Sequence, residues 1–96
     1  MKLIVSPEAA KWCKEEMGVR EGDSVQLFVK LYGKSIHPNY SLGIIKNETP
    51  EDVSLQSSAD GVTFYVSEKD AWFFDGYQCT VTARNGELDY LFEPES

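Results

Sequence analysis

Between Asp60 and Thr80 the chain reads D-G-V-T-F-Y-V-S-E-K-D-A-W-F-F-D-G-Y-Q-C-T, and no other stretch restricts the fold as much. Aspartate and glycine tolerate the left-handed backbone of tight turns, so Asp60-Gly61 and Asp75-Gly76 fence a strand and a short helix and lead into a second strand. Val62, Phe64 and Val66 alternate with polar positions, which predicts a strand over 62–67. Ser67 is the expected helix cap, with Asp70 three positions on in the place of a capping-box acid. The helix should cover roughly 68–74. Trp72, Phe73 and Phe74 in succession carry more aromatic surface than one helical face can bury, so one of them is expected at the surface or in an interface.

Upstream, Leu3-Ile4-Val5 is a short β-prone run stopped by Ser6-Pro7, a cap followed by a residue suited to a first helical turn. A helix over 7–17 puts Ala9, Cys13 and Met17 on one stripe and ends at Gly18. Val25, Leu27, Val29 and Leu31 alternate over 24–32, predicting the longest strand. A polar connection over 33–39 leads to an extended segment, 40–46, with Leu42 and Ile44 on one face. A short strand is expected at 53–55, with a polar break over 57–61. Asn85-Gly86 is the strongest hairpin signal, joining strands over 78–83 and 87–92 ahead of an acidic tail. The order of elements predicts an α+β domain with mostly antiparallel or mixed sheets.

Ninety-six residues suit a single domain spanning 1–96, and an apolar fraction of 42% suits one packed core. Nine basic residues against sixteen acidic ones leave a net charge of −7, which repels nucleic-acid phosphates and anionic lipid surfaces. Neither a signal-peptide core nor a membrane-length apolar run occurs, and the two cysteines show no disulfide or zinc spacing; a cytoplasmic protein with reduced thiols is expected.

Ile4-x-Ser6-x-x-Ala9, Val25-x-Leu27-x-Val29 before Gly33, and above all Asp60-Gly61-Val62 through Asp75-Gly76 resemble the HesB/IscA group, the A-type iron–sulfur carriers, over nearly the whole chain. The resemblance implies a β-rich fold and a cluster held by three cysteines. One would follow the glycine that closes the long strand, where this chain has Lys34, and two would sit in a C-G-C, which this chain lacks. Clusters are held mainly by soft thiolates, and an ammonium has no lone pair to offer iron. The expected function is therefore a non-enzymatic binding or accessory protein without a cofactor. The alternative is a residual iron or iron–sulfur carrier on other ligands.

For that alternative the candidate metal ligands are His37 and Cys79. Each has a plainer reading: His37 as a solvated loop residue, and Cys79, like Cys13, as a core thiol. Gly33, Lys34, Ser35 and His37 form a candidate partner-binding loop, for a protein partner or a second copy of the chain. No nucleophile motif surrounds a serine, and the glycines sit singly at turns rather than in a phosphate-binding loop, so an enzyme is the least favoured reading.

Overall fold

The computed structural model describes residues 1–32, 36–37 and 39–95. Its elements run β1 (Lys2–Val5), α1 (Pro7–Met17), β2 (Ser24–Leu31), β3 (Tyr40–Lys46), β4 (Val53–Ala59), β5 (Val62–Ser67), a 3-10 helix (Glu68–Phe74), β6 (Tyr77–Arg84) and β7 (Glu87–Pro94). The strands form one sheet in the order β1-β6-β7 and a second in the order β3-β2-β5-β4. Hairpins supply the antiparallel pairs β2–β3, β4–β5 and β6–β7. Long connections supply the two parallel pairs, β1–β6 and β2–β5. This is the expected α+β class with mixed sheets.

Local chemistry explains the boundaries. The Ser6 side chain accepts the Ala9 amide at 3.2 Å, Pro7 opens α1, and Gly18 closes it with φ of 68°. The turns Asp60-Gly61 and Asn85-Gly86 both carry positive φ at their two residues, the type I′ geometry that matches strand twist.

The strand β4 is longer than the sequence suggests. Ser57 and Ser58 continue the ladder opposite Phe64 and Thr63 instead of breaking it, because the outer strand of a sheet can turn polar residues to water. The last strand likewise runs through Glu93 and Pro94, which pair with Gln78 and Tyr77 rather than forming a loose tail. Ser67 precedes the 3-10 helix but makes no side-chain cap bond, and Asp70 is buried with Oδ2 unpartnered, so the expected capping box is absent.

One core receives side chains from every layer: Leu3 and Val5 from β1, Cys13 from α1, Val25 and Leu27 from β2, Phe64 and Val66 from β5, and Cys79 and Val81 from β6. Among the strands, the inner ones, β6 of the first sheet and β2 and β5 of the second, supply the fully buried positions. Phe73 and Phe74 of the 3-10 helix are also fully buried, and both rings meet Phe92 of β7, at centroid distances of 5.6 Å.

Opposite Gly43 of β3 lies Phe28 of β2, and a Cβ built on Gly43 would stand 2.5 Å from Phe28 Cζ. The ring of Phe28 covers the space that a side chain would need. Gly43→Ala should therefore lower stability by about 1–3 kcal/mol, as overpacking does, and Phe28→Leu in the same chain should recover part of the loss. Urea unfolding of the two variants measures both, and an unchanged midpoint for Gly43→Ala would contradict the packing argument.

Candidate functional site

The 3-10 helix places three consecutive aromatics in two environments. Phe73 and Phe74 turn into the core, whereas Trp72 is 47% exposed, as the aromatic excess predicts. The Trp72 indole is held by edge contacts with Tyr40 at 5.5 Å and Phe73 at 5.7 Å, and it meets the His37 ring at 5.3 Å. His37 also touches the Phe73 ring, at 4.8 Å, and its Nε2 lies 3.1 Å from the Phe73 carbonyl oxygen, to which it donates. The far end of β2 adds apolar surface: Leu31 is 66% exposed and Tyr32 80% exposed, with Tyr32 at a positive φ of 73°. A rigid aromatic platform thus stands at the surface on a fully buried support.

His37 is part of this platform rather than a solvated loop residue. Gly33, Lys34 and Ser35 of the expected partner-binding loop lie outside the described residues. Sequence reasoning put one of the three aromatics at the surface without saying which, and it missed Tyr40, which read only as the start of a strand. Its partnership with Trp72 joins segments 32 residues apart and leaves no local signal.

Both thiols are core side chains. Cys13 and Cys79 are both free, fully buried and inside the core. Burial pushes the Cys13 thiol up to about 11 and the Cys79 thiol up to about 12, so without a metal both are neutral at ordinary pH. The Tyr90 hydroxyl, also raised, owes its shift first to burial and then to the two cysteines. Among the described residues no three histidine, cysteine or acidic side chains gather to hold a metal ion. The described residues thus bring together no set of thiolates of the kind that holds an iron–sulfur cluster.

A separate polar cleft of about 580 Å³ opens at the other end of β2 and β5, floored by Gln26, Asn47, Tyr65 and Ser67. The Tyr65 hydroxyl accepts from Asn47 Nδ2 at 2.6 Å and donates to Gln26 Oε1 at 3.2 Å. Asn47 Oδ1 in turn accepts the Thr49 amide at 3.0 Å. The floor spends its hydrogen-bonding capacity on tying β2, β5 and the β3–β4 connection together, and its role is structural.

No family model matches the chain. A pyruvate dehydrogenase inhibitor of Bacillus subtilis strain 168 is 33% identical over 94 residues, an alignment that spans 97% of this chain and 98% of that protein. The chain belongs to the family of that inhibitor. An uncharacterized protein of Staphylococcus saprophyticus is 29% identical over 100 residues, spanning 94% of this chain and 97% of its own length. Among solved structures, Escherichia coli SufA, involved in biosynthesis of iron–sulfur clusters, superposes with a TM-score of 0.62 at 21% identity, covering 97% of this chain and 80% of SufA. IscA with a [2Fe-2S] cluster superposes with a TM-score of 0.59 at 16% identity, covering 96% of this chain and 84% of IscA. At these identities the likeness is one of fold, and the fold of this inhibitor-family chain is HesB/IscA-like.

The buried thiols have a consequence for stability. A thiol whose pKa is raised by folding binds its proton more tightly in the native state. Its contribution is therefore fully present below the ordinary thiol value of 9.0 and is lost as pH climbs toward about 11 for Cys13 and about 12 for Cys79. The denaturation midpoint should fall as pH rises above about 9. It should fall less steeply in a Cys13→Ala/Cys79→Ala double variant, and an identical alkaline slope in the two proteins would refute the assignment.

Proposed function

We propose that this chain is a non-enzymatic protein that binds a pyruvate dehydrogenase enzyme and lowers its activity, using the aromatic platform around Trp72 as a principal contact. One observation carries the reading: a half-exposed indole pinned by Tyr40 and His37 over the buried Phe73. Large aromatics on rigid supports are the anchors that dominate protein interfaces, because their side chains lose little freedom on binding and bury much area. Leu31, paired across the strands with Tyr40, and its neighbour Tyr32 are further exposed apolar side chains at the end of β2. The family relationship supplies the partner, since the Bacillus subtilis relative is named as an inhibitor of pyruvate dehydrogenase. Lys34 in place of the first family cysteine and the burial of Cys13 and Cys79 in the core support binding over cluster carriage.

Inhibition by surface docking needs no chemistry on this chain. Occlusion of the enzyme's active-site approach, or of a contact between its subunits, would be enough, and the acidic balance of −7 favours a basic docking region on the partner. Trp72→Ala should raise the concentration needed for half-inhibition of pyruvate dehydrogenase by at least about tenfold, the effect of removing an interface anchor. The variant should keep its thermal midpoint within a few degrees, because the indole is half exposed. Undiminished inhibition by a folded Trp72→Ala protein would remove the platform from the mechanism.

A further inference from the structure

The strands β3 and β7 are the outer strands of their respective sheets and do not pair with each other. Between them runs a groove of about 410 Å³, lined by Ile36, Ser41 and Leu42 on one side and by Leu88, Asp89, Tyr90 and Phe92 on the other. Among the described residues the fold is therefore open along one seam, whose lining is apolar except for Ser41 and Asp89.

The hydrogen-bond parity of β7 is fixed by its neighbours. The Glu95 amide donates to the Gly76 carbonyl at 2.9 Å, so the pairs in step with it, Gln78 with Glu93, Thr80 with Leu91 and Thr82 with Asp89, are those that exchange backbone bonds. The Val81 carbonyl accepts the Ser6 amide at 2.9 Å from the opposite side of β6, which agrees. Leu88, Tyr90 and Phe92 consequently turn their N–H and C=O groups away from β6, toward the seam. Among the described residues no backbone group bonds to them. Their side chains are the ones that wall the groove.

The alternate residues of β7 occupy its outer face. These are Glu87, Asp89, Leu91 and Glu93, and apart from Asp89, which pairs with Arg84 at 2.6 Å, the acids have no cation among the described residues. A strand added to β7 would set every second side chain over the groove and the others beside this acidic row. The complementary segment thus alternates apolar and basic residues. A second copy of the chain would bring acid against acid, and its net charge of −7 opposes self-pairing.

We propose that the seam receives an extended segment of a partner protein, alternating apolar and Lys/Arg residues, by strand addition to the free edge of β7. The inference stands apart from the dehydrogenase reading, since it names a surface and a segment chemistry that any partner could carry. Edges are normally blunted by charge, proline or a bulge; β7 has Pro94 only at its last position, and its charges are all acidic, which deters a second acidic strand and not a basic one.

The test uses the full chain and two short acetylated peptides, one alternating valine with lysine and the other valine with glutamate, followed by amide NMR shifts and fluorescence anisotropy. The lysine peptide should bind saturably and move the amides of Leu88, Tyr90 and Phe92. The glutamate peptide should not bind. A Glu87→Lys/Glu93→Lys variant, with an otherwise unchanged amide spectrum, should bind the lysine peptide about tenfold more weakly at low salt. Absence of saturable binding, equal binding of both peptides, or shifts centred on Trp72 instead of β7 would each overturn the proposal.

Discussion

Phe92 is held between Phe73 and Phe74, and on that contact the arrangement of the two sheets depends. Phe92 belongs to the three-stranded sheet, whereas Phe73 and Phe74 follow directly from β5 of the four-stranded one. Each such aromatic pair contributes roughly 0.5–1.5 kcal/mol beyond the area it buries. More importantly, the pairs fix where the 3-10 helix lies. Once Phe73 and Phe74 point inward, the short helix has no way to bury the third ring, and Trp72 must stand at the surface. The exposed platform is thus a by-product of how the core is closed.

The same closure governs the thiols. The core that holds Cys13 and Cys79 receives side chains from both sheets and both helices, and it favours their neutral forms. A fold shared with SufA and IscA is here stabilised by apolar packing, with its cysteines spent as small core side chains. Fold and chemistry can separate because a cluster requires several thiolates at one surface point, whereas the sheets require only the alternation of apolar residues.

Much of this architecture was legible in the sequence, and the reasons are local. Ser6-Pro7 and Gly18 mark α1, Asp60-Gly61 and Asn85-Gly86 mark the hairpins, and the three aromatics in a row forced one to the surface. What local chemistry does not encode was lost. Ser57 and Ser58 read as a break because an outer strand needs no apolar face. The expected capping box failed because Ser67 makes no side-chain cap bond and Asp70 is drawn inward. The parallel pairings β1–β6 and β2–β5 join segments far apart in the chain, as does the Tyr40–Trp72 contact. The packing of His37 on Trp72 and Phe73 likewise joins segments far apart in the chain and left no local signal. The open seam between β3 and β7 depends on which strands end up at the edges, which only the assembled topology decides.

The central claim is that this chain works by binding a protein in its metal-free form. The most direct measurement is calorimetric titration of pyruvate dehydrogenase with metal-free protein, and with protein treated anaerobically with ferrous iron and sulfide and then desalted. The account predicts saturable binding of equal affinity in both titrations and a colourless protein after desalting. Binding that appears only after reconstitution, in a coloured protein holding iron and sulfide in matched amounts, would contradict it.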